Sequence, residues 1–204
     1  MVALKNDRRG EGKEVSGRRV VIAYGDPAYL RVLKDQVTQA GYLVTMATDN
    51  GRQAGQVVFS RQPDVVLLGH RLAGRDGIEL ARVFSEQWVA PAVFISDEAG
   101  CEDLGLACQA GIYGYLIRPV EQIQLVAAME VAVAQFRAFV HMWEEDRNLK
   151  EALETRRVAE IAKGILMERL CLSEREAYQM LRKESMDHGL PMRLVAKRVI
   201  EEAR

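Results

Sequence analysis

Short apolar runs alternate with amphipathic stretches from about Arg18 to Pro119. The runs at 20–23, 65–68 and 92–95 are apolar throughout, which is typical of strands covered on both faces of a parallel sheet. Between such runs, apolar residues recur three or four positions apart, as they do on the buried face of a helix. Five strand–helix units with short connections predict a doubly wound α/β fold of five parallel strands.

After Pro119 the pattern becomes that of one long helix. Its apolar residues alternate three and four apart, which is the a/d seam of a coiled coil. The predicted seam consists of Met129, Val133, Phe136, Val140, Trp143, Leu149 and Leu153. The register breaks at 144–148, where we expect a stutter or a bend. The first turns should pack on the α/β domain, whereas the stretch from Phe136 to Leu153 would expose apolar surface unless two copies associate. We therefore expect a homodimer.

Three short helical patterns follow at the C-terminal end. The first ends near Leu170, and the second begins at Ser173, which forms an S-x-x-E capping box with Glu176. The third follows Gly189. Each has one apolar face, so together they predict a small three-helix bundle.

The patterns divide the chain into four segments. These are a flexible leader (1–17), the α/β domain (18–125), a coiled-coil dimerisation helix (126–155) and the three-helix domain (156–204). No apolar run approaches the roughly 20 residues that span a bilayer, and the first residues lack the apolar core of a signal peptide. We expect a cytoplasmic protein without a membrane partner.

Cysteine and histidine give no sign of a metal or catalytic site. The three cysteines, Cys101, Cys108 and Cys171, include no C-x-x-C pair, and the three histidines, His70, His141 and His188, have no ligand-like spacing. Reduced thiols are expected in the cytoplasm. The sequence predicts no metal and no cofactor.

The formal net charge of −1 conceals an asymmetry along the chain. From Arg156 to Arg198, ten Lys and Arg stand against six Asp and Glu, whereas residues 1–155 carry seventeen against twenty-one. A mildly basic C-terminal module suits a polyanionic partner.

The C-terminal helices carry a specific motif. It consists of A-K-G-I-L-M-E-R at 162–169, S-E-R-E-A-Y at 173–178, Leu181-Arg182 and Met186. Over residues 150 to 202 the chain resembles the ANTAR domain, the RNA-binding output module of bacterial transcription antitermination regulators. Two positions depart from the usual pattern, since Cys171 stands where the family commonly has Gly and Ser185 where Ala usually precedes the Met. We interpret both as local stability costs.

Residues 18 to 135 resemble the receiver domain of two-component response regulators, which has a flavodoxin-like fold. The resemblance is carried by Asp26-Pro27, the run at 63–68, Gly74-Arg75-Asp76-Gly77, Ala110-Gly111 and the run at 115–119. A phosphorylatable receiver has an acidic pair, an acceptor Asp, a hydroxyl residue and a Lys at the carboxyl edge of its sheet. The matching positions here are Tyr24 and Gly25, Gly69, Ser96 and Arg118, with Asp26 beside the missing pair.

This correspondence predicts a degenerate phosphorylation site. Gly69 has no side chain to phosphorylate, and one carboxylate is a poor Mg²⁺ site. Asp76 and His70 lie in the loop that follows the third strand, but we interpret Asp76 as a turn residue and His70 as an ordinary loop histidine. We therefore interpret the domain as a pseudo-receiver.

Cations and one aromatic residue of the last 50 residues are the candidates for contact with RNA. The candidate RNA-binding residues are Arg156, Lys163, Met167, Arg169, Tyr178, Arg182, Lys183, Arg193 and Lys197. RNA hairpin loops are read through unstacked bases that stack on aromatic rings and Arg planes, while cations contact phosphates.

The resemblance implies a regulator, not an enzyme. It implies binding to RNA hairpins in leader transcripts. Because the predicted phosphorylation site is degenerate, we expect control by a regulatory protein partner or by abundance. Two alternatives stay open. One is a protein-interaction adaptor whose helices bind no nucleic acid, and the other is a conventional DNA-binding response regulator.

Overall fold

The computed structural model describes residues 17–97 and 101–203, and for residues 101–103 it describes the backbone alone. The leader predicted for residues 1–17 lies, apart from Gly17, outside the described residues. The chain forms two compact units, which meet in the sequence between Val140 and His141.

The first unit contains a five-stranded sheet in which every pair of neighbouring strands is parallel. The strands are β1 (Arg19–Ala23), β2 (Leu43–Thr48), β3 (Val65–Gly69), β4 (Ala92–Ser96) and β5 (Gly114–Ile117), in the order β2-β1-β3-β4-β5. All residues of β3 and β4 are buried. The predicted fold class is confirmed, because the continuous apolar runs are the strands covered on both faces.

Helices cover both faces of this sheet. They are α1 (Pro27–Gln39), α2 (Gly51–Arg61), α3 (Gly77–Glu86), α4 (Cys101–Gln109) and α5 (Gln122–Leu170). Residues of α1 and α5 share one core cluster with the sheet, and residues of α2 and α3 share the cluster on the other face. Asp26, Asn50 and Asp76 cap the first turns of α1, α2 and α3 by accepting hydrogen bonds from backbone N–H groups.

The long helix α5 runs without interruption for 49 residues. The stutter or bend expected at 144–148 does not break it. Met129 and Val133, predicted as seam residues, are 0% and 2% exposed and belong to the core of the first unit. The prediction for these two is wrong because the packing of α5 against the sheet extends further along the helix than its first turns. The predicted boundaries at 125 and 155 both fall inside α5.

One further feature of α5 bears on the membrane prediction. Of the described residues, only this helix contains a stretch long and apolar enough to cross a bilayer by length and composition. The expectation that no apolar run approaches that length is therefore wrong for α5. However, Leu125, Met129, Ala132 and Val133 of the same helix are buried against the sheet. This part of α5 therefore belongs to the core of the first unit.

The second unit contains the end of α5 together with α6 (Glu174–Asp187) and α7 (Met192–Glu201). Its core is formed by Val158, Ala162, Leu166, Ala177, Leu181, Val195 and Ala196. Both hydrogen bonds of the predicted capping box are present, since the Glu176 backbone N–H donates to Ser173 Oγ and the Ser173 N–H donates to Glu176 Oε2. Cys171 adopts φ 52°, so it takes the left-handed conformation that a glycine would adopt without strain.

Candidate functional site

The carboxyl ends of β1, β3, β4 and β5 bring the predicted degenerate site together at one edge of the sheet. Tyr24 follows β1, Gly69 ends β3, Ser96 ends β4 and Arg118 follows β5. Tyr24 is 3% exposed and Ser96 is also buried. The chain topology therefore places these residues at the carboxyl edge of the sheet, where their side chains differ from those of a phosphorylatable receiver.

The ring of Tyr24 occupies the space that an acceptor side chain at position 69 would need. A Cβ atom built on Gly69 would lie 2.6 Å from Cδ2 and 2.9 Å from Cε2 of Tyr24. Non-bonded carbon atoms pack at about 3.5–4.0 Å. Glycine at 69 and tyrosine at 24 thus fit each other, and an aspartate could enter only if the tyrosine moved.

Three side chains at this edge hydrogen-bond to one another. Tyr24 Oη donates to Asp97 Oδ1 over 2.5 Å, and Arg118 Nη1 donates to the same oxygen over 2.8 Å. Arg118 also reaches Asp26 Oδ2 at 3.4 Å, and its guanidinium lies 3.8 Å from the ring centroid of Tyr29. We call the set Tyr24, Tyr29, Asp26, Asp97 and Arg118 the sheet-edge network. Asp97 and Tyr29 were not among the predicted site residues, because neither occupies a position that the receiver pattern marks.

The hydrogen bonds among Tyr24, Asp97 and Arg118 shift the pKa of each of these three groups. Burial, followed by the hydrogen bond to Asp97, raises the pKa of Tyr24, which therefore stays neutral. The hydrogen bond from Tyr24, with a further contribution from Arg118, lowers the pKa of Asp97. Burial opposes the charge on Arg118, but its hydrogen bonds to Asp97 and Tyr24 outweigh this and raise its pKa. The edge thus holds an internal ion pair beside a neutral phenol.

The residues at this edge do not fit the Mg²⁺ ion that a phosphorylatable receiver uses. A Cβ atom at Gly25 would lie 2.0 Å from the carbonyl oxygen of Arg71, so this backbone excludes an acidic side chain there. Asp26 Oδ1 accepts from the N–H groups of Ala28 and Tyr29, and Oδ2 faces Arg118. Mg²⁺ requires several oxygen ligands in octahedral geometry. Within the described parts of the chain, no group of three or more His, Cys, Asp or Glu side chains could hold a metal ion.

Asp76 and His70, the other two side chains considered as phosphoryl acceptors, make contacts of their own. Asp76 is the N-cap of α3, since its Oδ1 accepts from the Ile78 N–H over 2.7 Å, and its other oxygen lies 4.0 Å from His70 Nε2. Asp76 is therefore more than the turn residue that we predicted. Its capping contact stabilises the start of a helix.

In the second unit, two predicted RNA-binding cations are engaged by the protein itself. Lys163 is only 7% exposed, and its Nζ donates to Glu160 and Glu174 over 3.0 and 2.7 Å. These hydrogen bonds, that to Glu160 first, raise the pKa of Lys163. Arg169 donates to the carbonyl oxygens of Glu202 and Ala203 beyond the end of α7. Sequence spacing alone could not reveal these interactions, which depend on where α6 and α7 pack.

The other candidate residues remain accessible. Arg156, Met167, Tyr178, Arg182, Lys183 and Lys197 are exposed, and Arg193 is half-buried. None of the cations in this set forms an ion pair with another described residue. Tyr178 and Arg182 lie one helical turn apart on α6, as do Arg193 and Lys197 on α7. Arg157 and Arg175 are also exposed, and the local basic excess was the only signal that could have found them.

An open groove of about 540 Å³ lies among α5, α6 and α7 in this unit. Arg156 and Tyr178 both line it, which places two of the predicted RNA-binding residues at one concave surface. Arg182, Lys183, Arg193 and Lys197 do not line it. The two small residues of the motif also separate, since Ala162 is fully buried in the core whereas a Cβ at Gly164 would meet nothing within 4 Å.

The remaining seam residues lie at increasing exposure along α5. Phe136 packs edge-on against Tyr113 with centroids 5.6 Å apart, and Val140 is half-buried. Trp143, whose ring has the Arg147 guanidinium 5.3 Å from its centroid, is 40% exposed. Leu149 and Leu153 are 62% and 60% exposed. The predicted seam residues that are exposed on the single chain thus belong to the second unit.

Comparison with known proteins agrees with these features. Residues 20–130 match the response regulator receiver domain and residues 147–200 match the ANTAR domain. The chain is 31% identical over 185 residues to the transcriptional regulatory protein PdtaR of Mycobacterium tuberculosis, in strains CDC 1551 / Oshkosh and ATCC 25618 / H37Rv, and the match covers 90% of each chain.

Solved structures match the first unit. The receiver domain of a modulated diguanylate cyclase from Desulfovibrio desulfuricans G20 aligns with a TM-score of 0.56 at 25% identity, over 59% of this chain and 97% of that one. The receiver domain of a sensor histidine kinase from Pseudomonas aeruginosa PAO1, which has a magnesium ion in its active-site cleft, aligns with a TM-score of 0.53 at 23% identity, over 58% and 99%. The second likeness concerns the fold alone. The chain has a receiver domain followed by an ANTAR domain, and PdtaR matches it over 90% of both proteins. The chain therefore belongs to the ANTAR-domain response regulators.

Proposed function

We propose that this protein is an RNA-binding transcription antitermination regulator that acts on hairpins in leader transcripts, in the cytoplasm. The observation that carries the proposal is the set of exposed cations without ion-pair partners among the described residues, on the unit that matches the ANTAR domain. Cations that the protein leaves unpaired are available to neutralise phosphates. The relative PdtaR is named a transcriptional regulatory protein, which agrees with a role in transcription.

The test is equilibrium binding of the full-length protein to RNA hairpins and to duplex DNA of equal length, over a series of salt concentrations. We expect hairpin RNA to bind more tightly, with log K falling by roughly 0.7 per phosphate contact for each unit of log salt. Equal binding of duplex DNA would favour a DNA-binding response regulator. Failure to bind any nucleic acid would favour a protein-interaction adaptor. Crosslinking in native cells, followed by sequencing of the bound RNA, identifies the target.

We infer further that aspartyl phosphate does not control this receiver. Gly69 offers no acceptor, Tyr24 fills the acceptor's space, and the one acidic side chain retained from the metal site is engaged with Arg118. Control then passes to a protein partner that sequesters the regulator or to its amount in the cell.

We also propose that the protein is a homodimer through α5. The supporting observation is the exposure of Leu149 and Leu153, which lie one helical turn apart on α5, since adjoining apolar side chains left exposed on a single chain mark a site of association. Replacing Leu149 and Leu153 together with Glu should give a monomer by sedimentation, because charges buried in a helix–helix seam cost several kcal/mol. The fold of the single chain should be unaffected, since both side chains are exposed in it. A wild-type protein that sediments as a monomer at tens of micromolar, about the range of such assays, would contradict the proposal.

A further inference from the structure

The groove of the second unit has a lining that combines one aromatic ring with both donors and acceptors. Tyr178 comes from α6 and is 46% exposed, although it lines a concave surface. Ala152 and Ala159 of α5 and Met192 of α7 supply apolar surface beside it. The groove volume of about 540 Å³ lies within the roughly 300–1,000 Å³ range of small-molecule sites.

We propose that this groove binds one unpaired nucleobase that carries an exocyclic amino group, with its flat face against the ring of Tyr178. The inference rests on the proposed RNA-binding function and names what that surface reads. A half-exposed ring in a groove that apolar residues also line is suited to stacking, which every base can provide through its π-face. Open hairpin loops present such unstacked bases.

The charges of the groove indicate that it receives a base and not the phosphate backbone. Glu151 and Glu160 both line it, and carboxylates repel phosphate but accept hydrogen bonds from amino groups. Glu160 is held in place by Lys163, whose Nζ lies 2.8 Å from Glu160 Oε2. The phosphates flanking the bound base would then lie against cations outside the groove, such as Arg182 and Lys183.

The groove also contains side chains that donate hydrogen bonds. Arg156 and Asn148, both on α5, can donate to the ring nitrogens or the carbonyl oxygen of a base, whose edges mix donors and acceptors. The groove therefore combines an aromatic ring for stacking with hydrogen-bond acceptors and hydrogen-bond donors. That combination matches a base more closely than a sugar or a phosphate.

The apolar seam of α5 is a separate surface. Leu149 and Leu153, the exposed large hydrophobic residues of this part of the helix, do not line the groove. The groove instead uses Asn148, Ala152, Thr155 and Ala159, which recur three and four apart on a neighbouring face. A second copy that covers the seam does not by that contact fill the groove.

The experiment uses the full-length protein and a hairpin selected by it from a library with a randomised loop. Each loop base of that hairpin is replaced in turn by an abasic sugar and by uridine. Affinities are measured by fluorescence anisotropy at one fixed salt concentration. We expect one abasic position to weaken binding about tenfold or more, the effect of losing one stacked base. Uridine at that position should weaken it less, because it still stacks but lacks the amino group.

Variants of the protein connect the base to the groove. Tyr178→Ala should cause the same loss of affinity as the abasic replacement, and the two losses should not add. Tyr178→Phe should retain most of the affinity, because its ring still stacks. Met180→Ala is the matched control, since Met180 is an exposed residue of the same helix that does not line the groove. Circular dichroism checks that each variant is folded, which we expect because Tyr178 is about half-exposed.

The outcomes separate this inference from the function on which it rests. Hairpin binding that is unchanged in Tyr178→Ala would contradict the proposal that the groove binds a base, but it would not contradict the RNA-binding function. Selection of no hairpin at all would overturn the proposed function. A titration with guanosine, adenosine and cytidine would then test whether the groove binds a nucleobase. Binding of a free nucleoside that depends on Tyr178 would support it with a soluble ligand as the source, whereas no binding would overturn it. Loss of the dimer in Tyr178→Ala would assign the groove to a second copy and overturn the proposal.

Discussion

The carboxyl edge of the receiver sheet and the surface of the ANTAR unit use the same kinds of side chain to opposite effect. At the sheet edge, Arg118 is held by Asp97 and Asp26 and covers the ring of Tyr29. On the ANTAR unit, Arg182 and Lys183 are exposed and have no ion-pair partner among the described residues. At the sheet edge, the charge of Arg118 is already paired and offers little to a ligand. On the ANTAR unit, Arg182 and Lys183 remain free to pair with an anionic partner.

We infer from this difference that a cation is available to a ligand only where the protein does not already pair it. Lys163 makes the same point inside the ANTAR unit, because its two carboxylate partners remove it from the available surface. A cation paired within the protein contributes to stability. A cation without a partner contributes to the salt dependence of binding.

The largest expected effect comes from forcing the sheet edge to accept an aspartate. Gly69→Asp should lower the free energy of unfolding by about 1–3 kcal/mol, since the new Cβ overpacks against the Tyr24 ring. It should also fail to restore phosphorylation, because the residues at this edge do not form a metal site. Denaturant unfolding measures the first effect, and intact-mass spectrometry after treatment with acetyl phosphate and Mg²⁺ measures the second.

Gly69→Ala is the control for this experiment. It adds the same Cβ without the carboxylate, so it should lower the stability by a similar amount if packing is the cause. In a Tyr24→Ala background, both substitutions at 69 should cost less. A mass gain of one phosphate in the wild type or in Gly69→Asp would contradict the account of a closed edge.

An intermediate effect is expected when the unpaired cations of the ANTAR unit are removed. Arg182→Ala/Lys183→Ala should weaken hairpin binding and reduce the slope of log K against log salt by roughly 0.7 for each phosphate that is no longer neutralised. The stability of the fold should change little, because both side chains are exposed. Lys163→Met should do the reverse, lowering stability by leaving Glu160 and Glu174 without their cation while the salt slope stays the same.

Arg31→Ala/Arg82→Ala is the matched control, since it removes the same charge from exposed positions of the receiver. It should leave the salt slope unchanged. If it reduces the slope as much as the ANTAR pair does, net charge and not local interaction explains the binding. A reduced slope in Lys163→Met would show that this buried lysine reaches RNA after all.

Sequence patterns anticipated the scaffold more fully than the state of its side chains. The strands, the capping box of Ser173 and Glu176 and the long helix α5 follow from local patterns of polarity and end signals, which act within a few residues. The position of Gly69 at the end of β3 follows from the same logic. These features do not depend on which distant element packs where.

The side-chain environment could not be predicted, because it arises from interactions between distant parts of the chain. Asp97 joins Tyr24 and Arg118 across 73 and 21 positions, and Arg169 reaches carbonyl groups more than 30 residues away. The groove beside Tyr178 likewise needs three helices to form. Helical spacing placed Lys163 among the surface cations, and only the position of Glu174 shows that it is buried in an ion pair.

The smallest effect is expected from a substitution that removes one hydrogen bond of the sheet-edge network and leaves its packing unchanged. Tyr24→Phe keeps the ring beside Gly69 but removes the hydrogen bond to Asp97, which is the main cause of the lowered pKa of that carboxyl. A hydrogen bond to a charged group contributes about 1.5–3 kcal/mol, and the exposure of Asp97 to water reduces this to about 1 kcal/mol. A carboxyl whose pKa is lowered by folding stabilises the fold above its ordinary value near 3.9, and this stabilisation is lost as the pH falls through the folded value. The difference between wild type and Tyr24→Phe should therefore be largest near neutral pH and shrink below about pH 4. Urea unfolding across that range measures it, with Asp97→Ala as the background in which Tyr24→Phe should have little further effect, because no acceptor remains at position 97. A loss of stability that is equal at every pH would mean that the hydroxyl contributes to packing and not to the ion pair.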